Sequence, residues 1–216
     1  MGCETGAVNQ GDLIAAYLDH FATAAFAAPM IELEQMADAI WATYLSRDTV
    51  YVFGNGACAA LSAHMATDLS KGTAVGLGMP PQQATAPRIR VVSLADNTAL
   101  LTALGNDIGY EYVFVEQLRG LLRPGDAVLG LSGSGGSPNV LRALEYARTV
   151  RARRLGLTGR MASATELVSR CEIAVQAPSS MMEQIEDWHV IYNHVLTVLL
   201  RARLRAHMAA AHAAPR

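Results

Sequence analysis

Two glycine-rich turns and one histidine–aspartate pair carry the chemistry that can be read from this chain. Val50-Tyr51-Val52-Phe53 is a short apolar, β-branched run that breaks into Gly54-Asn55-Gly56 and then into the helix-forming Ala57-Cys58-Ala59-Ala60. Such a pattern is a buried strand, a tight turn and a helix N-terminus. The backbone N–H groups of the turn and the positive end of the helix dipole favour an anion there. His64 and Asp68 follow at a spacing that places both on one face of the same helix, where they could bind a metal or move a proton. A second turn repeats the design. Asp126 to Leu131 reads as a buried strand running into Ser132-Gly133-Ser134-Gly135-Gly136-Ser137-Pro138-Asn139, and then into a helix. Serine hydroxyls and close-approaching glycine backbone make a phosphate cradle. The lysine of a P-loop and the glycine spacing of a dinucleotide fingerprint are both missing, so the expected ligand is a phosphorylated small molecule.

The elements that must position these groups alternate along the chain. Helices are expected over Gly11–Ala27 and Met30–Leu45. Strands follow at Val50–Phe53, Arg88–Leu94, Asp126–Leu131, Arg154–Thr158 and Glu172–Gln176. Helical segments separate the strands, and a long helix begins near Met181. Gly105-Asn106-Asp107 is expected to break the helix that starts at Ala99, and Gly72–Pro87 reads as a long loop. Strand–helix alternation with connections of this length predicts an α/β fold, a three-layer α-β-α sandwich on a five-stranded parallel sheet with flavodoxin-like winding. Ligands of such sheets bind at the carboxyl ends of the strands, where both glycine turns fall. One domain over 1–216 is expected: two extra N-terminal helices in 10–46, the sheet and its helices in 49–205, and a frayed tail over 206–216. The N-terminal helices could pack on the sheet or on another subunit.

Composition narrows the partners. In 216 residues, 51% hydrophobic and 17% charged with a net charge of -2, the balance is that of a globular chain and argues against nucleic acid as the main partner. No apolar run is long enough to span a bilayer and no secretory signal is visible, so no membrane role and a cytoplasmic location are expected. Cys3, Cys58 and Cys171 are too few and too scattered for a disulfide framework.

These motifs resemble, in order and over about residues 10–200, those of the phosphoheptose isomerases, a branch of the sugar-isomerase (SIS) fold. Phe53 to Ala60 with His64 and Asp68 is similar to their GNGGSAA…H…E signature. Gly105-Asn106-Asp107 is similar to their GND element, Ser132 to Val140 to their STSGNSPNV loop, and Leu157-Thr158-Gly159 to their LTG. Gln184 to His189 with His194 is similar to their RIQE-H…H helix. The resemblance implies a homotetramer with active sites at subunit interfaces. It implies interconversion of sedoheptulose 7-phosphate and D-glycero-D-manno-heptose 7-phosphate (or a close seven- or eight-carbon sugar phosphate) through an enediol, usually with zinc. The implied metal ligands are His64, Asp68, Glu186 and His194, with Asp68 and His194 as the proton-transfer pair. Ser132, Gly133, Ser134 and Ser137, with Asn55, Gly56 and Cys58, would hold the phosphate, and Asn97, Asp107 and Glu186 would complete the substrate site. An alternative is a non-catalytic SIS module that binds a sugar phosphate or a protein.

Three departures from the family pattern bear on the chemistry. Asp68 stands where the family has glutamate and is one methylene shorter, so its carboxylate would fall ~1.5 Å short unless the helix shifts. Glu186 replaces glutamine, and Cys58 replaces a phosphate-binding serine. His189, three residues after Glu186, is a rival ligand or a substrate contact. Trp188 and Tyr192 read as packing residues.

Overall fold

A computed structural model describes residues 9–74 and 88–213. Its centre is a sheet of five parallel strands in the order β2-β1-β3-β4-β5. These are β1 (Thr49–Gly54), β2 (Arg90–Ser93), β3 (Ala127–Leu131), β4 (Arg153–Thr158) and β5 (Ile173–Gln176). The order reverses between β1 and β3, which pair directly from Val50–Ala127 to Gly54–Leu131. Their carboxyl ends therefore open side by side at the topological switch point, the place where ligands of such sheets bind.

The strand residues alternate between two cores, as period-two side chains must. Val50, Val52, Leu129, Leu131, Leu155 and Leu157 face one side. There α2 (Met30–Leu45), α3 (Ala57–Thr67) and α8 (Met182–Ala213) cover them with Met36, Ile40, Leu61, Met65, Trp188 and Tyr192. Tyr51, Phe53 and Val128 face the other side, under Phe114 and Leu118 of α5 (Val113–Leu121) and Val140 and Leu144 of α6 (Pro138–Val150). Each such side chain contributes about 1.5–3 kcal/mol when fully buried. One consequence matters for function: α3 and α8, far apart in sequence, lie on the same face of the sheet.

The expected sandwich and strand assignments match this architecture, with differences in detail. α4 (Thr98–Asp107) continues through Gly105, Asn106 and Asp107 rather than stopping there. A single glycine costs a helix only about 1 kcal/mol relative to alanine, too little to end it here. The chain reverses instead at Gly109, whose φ of 108° few other residues adopt. The last helix remains helical to Ala213, past the point where fraying was expected. A short α7 (Ala164–Val168) follows β4. Of the expected Gly72–Pro87 loop, residues 75–87 lie outside the described ones.

Of the two N-terminal helices, α2 packs into the core, whereas α1 (Gln10–Ala24) buries none of its residues. Polar contacts hold α1 to α8. The Tyr17 hydroxyl donates to the Asp187 carboxylate, and His20 Nδ1 lies 2.5 Å from Gln184 Oε1. That bond to Asp187, with burial adding to it, pushes the Tyr17 phenol up to about 12. Among the described residues no single helix is long and apolar enough to cross a membrane.

On the buried side of α8 an unusual polar line interrupts the packing. His189, Asn193 and Thr197 recur every fourth residue, all buried, and each has a side-chain atom without a hydrogen-bond partner among the described residues. Burial pulls the His189 imidazole down to about 4, opposed only in part by the nearby Thr158 backbone. The folded protein thus keeps His189 neutral where the unfolded chain, with its ordinary value near 6.5, takes up a proton. Stability from this group is complete above about pH 6.5 and is lost as pH falls toward 4. We expect urea unfolding to show a loss of about 2 kcal/mol from this group between near-neutral pH and pH 5. That component should vanish in His189→Gln, and an equal pH dependence in the variant would contradict the assignment.

Candidate active site

The phosphate-binding half is built where β1 and β3 end. Gly54 leaves β1 in close contact with the next strand: a Cβ there would sit 2.7 Å from the Leu131 carbonyl and 2.6 Å from Cys58. Gly56, at φ 54° and ψ -122°, turns the chain into α3 in a conformation essentially restricted to glycine. No side chain caps the first turn of α3, nor does the N-cap Ser137 bond back to α6. The serine loop is pre-folded by its own groups. Ser132 Oγ lies 2.9 Å from Ser137 Oγ and accepts from the Gly135 N–H at 3.1 Å, and Ser134 Oγ accepts from the Gly136 N–H at 3.3 Å. Gly133 abuts α8, where a Cβ would meet Met182 Sδ at 2.5 Å.

The two turns are tied together. Asn55 and Asn139 exchange amide hydrogen bonds of 2.9 and 2.8 Å, and the Tyr110 hydroxyl donates to Asn55 Oδ1 at 3.1 Å. Cys58 joins the other side: burial raises its thiol, and contact with the Gly133 backbone opposes this in part. A cavity of about 220 Å³ opens beside it, lined by Ala57, Cys58, Leu61, Glu186, His189 and Val190 among others. It is the upper end of the groove between α3 and α8.

Farther along that groove, three donor side chains converge. Asp68 Oδ2 lies 3.0 Å from His64 Nε2 and 3.7 Å from His194 Nε2, and the imidazole centroids are 5.3 Å apart. The donor atoms of all three lie within 4.8 Å of one another. Two imidazoles and a carboxylate suit a divalent ion such as zinc. At zinc bond lengths of about 2.0–2.1 Å, neighbouring tetrahedral donors sit roughly 3.3 Å apart, a spacing the observed separations bracket. Three protein donors also leave a coordination position open, as reactive sites require. Asp68 keeps the regular helical bond from its N–H to the His64 carbonyl, so the pair stays on one face; past it, residues Asp68–Gly72 wind as a π-helix, a form that recurs at functional sites.

Some expected site residues are not gathered here. Glu186 is absent from the donor cluster; eight residues before His194, it sits ~12 Å up the helix axis, against Cys58 in the cavity wall. Asn97 caps α4, accepting from the Leu100 N–H at 3.1 Å, and Asp107 accepts from its neighbour Asn106 at 2.9 Å. Both are exposed and engaged locally. Conversely, Asn139, Ser163 and Asn193 bond to expected site residues without having been singled out from sequence. Ser163 Oγ donates to the Ser134 carbonyl at 2.7 Å, and Asn193 Nδ2 donates to Asp68 Oδ2 at 2.8 Å. Asn193 sits beside His194 in an otherwise apolar stretch, which was a readable signal.

Comparison with known proteins agrees with this geometry. Residues 15–159 match the SIS domain family. A phosphoheptose isomerase from Akkermansia muciniphila is 35% identical over 173 residues, covering 80% of this chain and 86% of the relative. Among solved structures, phosphoheptose isomerase from Neisseria gonorrhoeae superposes with a TM-score of 0.78 at 24% identity, covering 90% of this chain and all of that one. The Francisella tularensis phosphoheptose isomerase superposes at 0.74 and 25% identity, covering 89% of this chain and 98% of that one. With its glycine turns at the switch point and its donor cluster in the α3–α8 groove, the chain belongs to the SIS-domain family, on the phosphoheptose isomerase branch.

Proposed function

We propose that this protein is an aldose–ketose isomerase that interconverts sedoheptulose 7-phosphate and D-glycero-D-manno-heptose 7-phosphate in the cytoplasm, with zinc held by His64, Asp68 and His194. The observation that carries this reading is the shared groove: phosphate-type turns at one end, and a carboxylate between two imidazoles farther along it. His64 lies ~10 Å along the α3 axis from Ala57, a distance that an extended seven-carbon chain can span. The relatives named above are isomerases of this class.

The serine loop and the start of α3 hold the phosphate, so that binding energy at one end of the substrate fixes the other end. The described contacts of Asp68 all fall on Oδ2, leaving Oδ1 to take the proton from substrate carbon. His194, more than half exposed at its side chain, exchanges the second proton with the neighbouring oxygen, and an enediolate forms between the two transfers. A positioned acid or base of this kind contributes ~10²–10⁴ in rate. A divalent ion at the three donors would supply Lewis-acid stabilisation of the charge that develops on oxygen. Glu186 in the cavity wall is placed to contact the sugar hydroxyls. A carboxylate held between two imidazoles favours catalysis over the non-catalytic binding module.

The exposed apolar face of α1, with Leu13, Ile14 and Leu18 each 59–63% exposed, supports assembly into a homotetramer of the kind the family forms. Light scattering should give a mass well above the 23.0 kDa monomer, and Ile14→Glu with Leu18→Glu should lower it; a monomeric parent protein would refute the assembly. Incubation with sedoheptulose 7-phosphate and zinc in D₂O should yield aldose carrying deuterium at C2, followed by NMR. His194→Gln should abolish this at least a hundredfold while leaving the fold intact. No conversion by the parent protein would overturn the isomerase reading.

A further inference from the structure

The residue that most needs an account is Asn193. It is fully buried on α8, its Nδ2 donates to Asp68 Oδ2 at 2.8 Å, and its own Oδ1 has no partner among the described residues. The orientation of the amide follows from the chemistry, since turning it over would set a carbonyl oxygen against a carboxylate. Burying an amide and leaving half of it unpaired destabilises a helix interface relative to an apolar side chain of similar size. An asparagine kept only for packing would be a poor choice here. Its single bond goes to the atom on which both histidines converge, at the point where the helix opens into a π-turn.

We propose that Asn193 is a positioning residue, which fixes the Asp68 carboxylate between His64 and His194 and so lets a shorter acid complete the divalent-metal site. The inference rests on the three-donor metal site proposed above. The helical backbone at Asp68, with its N–H bonded to the His64 carbonyl, sets where the acid starts but leaves the carboxylate free to rotate. The Asn193 bond removes that freedom by holding Oδ2 in the space between the imidazoles. Outer partners of metal ligands typically govern affinity by ten- to a hundredfold. The neighbouring line residue Thr197, also buried with a hydroxyl unpaired among the described residues, makes no hydrogen bond to Asp68 and serves as the internal control.

The test is zinc affinity measured by competition with a chromogenic chelator, on purified metal-free protein and without substrate, together with the thermal midpoint of the metal-free form. Asn193→Leu should bind zinc about ten- to a hundredfold more weakly, with the midpoint unchanged or raised. Thr197→Val should leave affinity unaltered. Asn193→Ala, which adds no volume, carries the same test should the leucine variant not fold. Asp68→Glu should weaken binding when Asn193 is present, because the longer acid overruns the clamp, and should recover part of the lost affinity in the Asn193→Ala background. Affinity in the Asn193 variants equal to that of the parent protein would overturn the inference while leaving the metal site standing. A loss of affinity matched by Thr197→Val would overturn it too, as a packing effect. Failure of the parent protein to bind zinc at all would overturn the metal site and this inference together.

Discussion

The placement of α3 and α8 on one face of a parallel sheet is the constraint from which the site follows. A right-handed crossover decides which face α3 covers on its way from β1 to β2, and the last helix, α8, returns to the same face. Nothing local to either helix makes a site. His64 and Asp68 alone form a surface pair on α3, and His194 alone is an exposed imidazole on α8. Their convergence on Asp68 Oδ2 exists because Leu61 and Met65 of α3, and Tyr192 and Leu196 of α8, bury against the same strands and set the spacing between the helix axes.

The phosphate half depends on a second constraint, the absence of side chains where two strands end together. At Gly54 an added Cβ would strike the backbone of the neighbouring strand and Cys58, so this turn holds its shape only with glycine, whereas at Gly133 it would meet only the flexible end of Met182. The reciprocal Asn55–Asn139 amide pair then holds one turn to the helix that follows the other. These bonds are made before any ligand arrives, so little ordering remains to be done on binding. A rigid phosphate grip and a half-exposed donor cluster in one groove divide the labour between fixing the substrate and reacting with it.

Much of the fold was legible because its signals are local. Apolar β-branched runs ended by glycine marked the strands, and Pro29 marked the junction of the first two helices. Errors fell where a local rule or a resemblance did not decide the outcome. Gly105 reads as a helix breaker yet sits inside α4, because one glycine costs a helix only about 1 kcal/mol. Glu186 is a ligand only by resemblance, and in this fold it lines the cavity with Cys58 instead of joining the donor cluster.

The order of residues by itself determined that strands and helices alternate, that two phosphate-type turns lie at strand ends, and that histidine and aspartate share one face of a helix. Each of these depends on neighbours within a few positions along the backbone. Only the tertiary structure decided that His194 and Asn193 meet Asp68, that Glu186 does not join them, and that α1 is left with an uncovered apolar face. Those outcomes depend on distances between side chains more than a hundred residues apart, which are set by how the helices pack on the sheet.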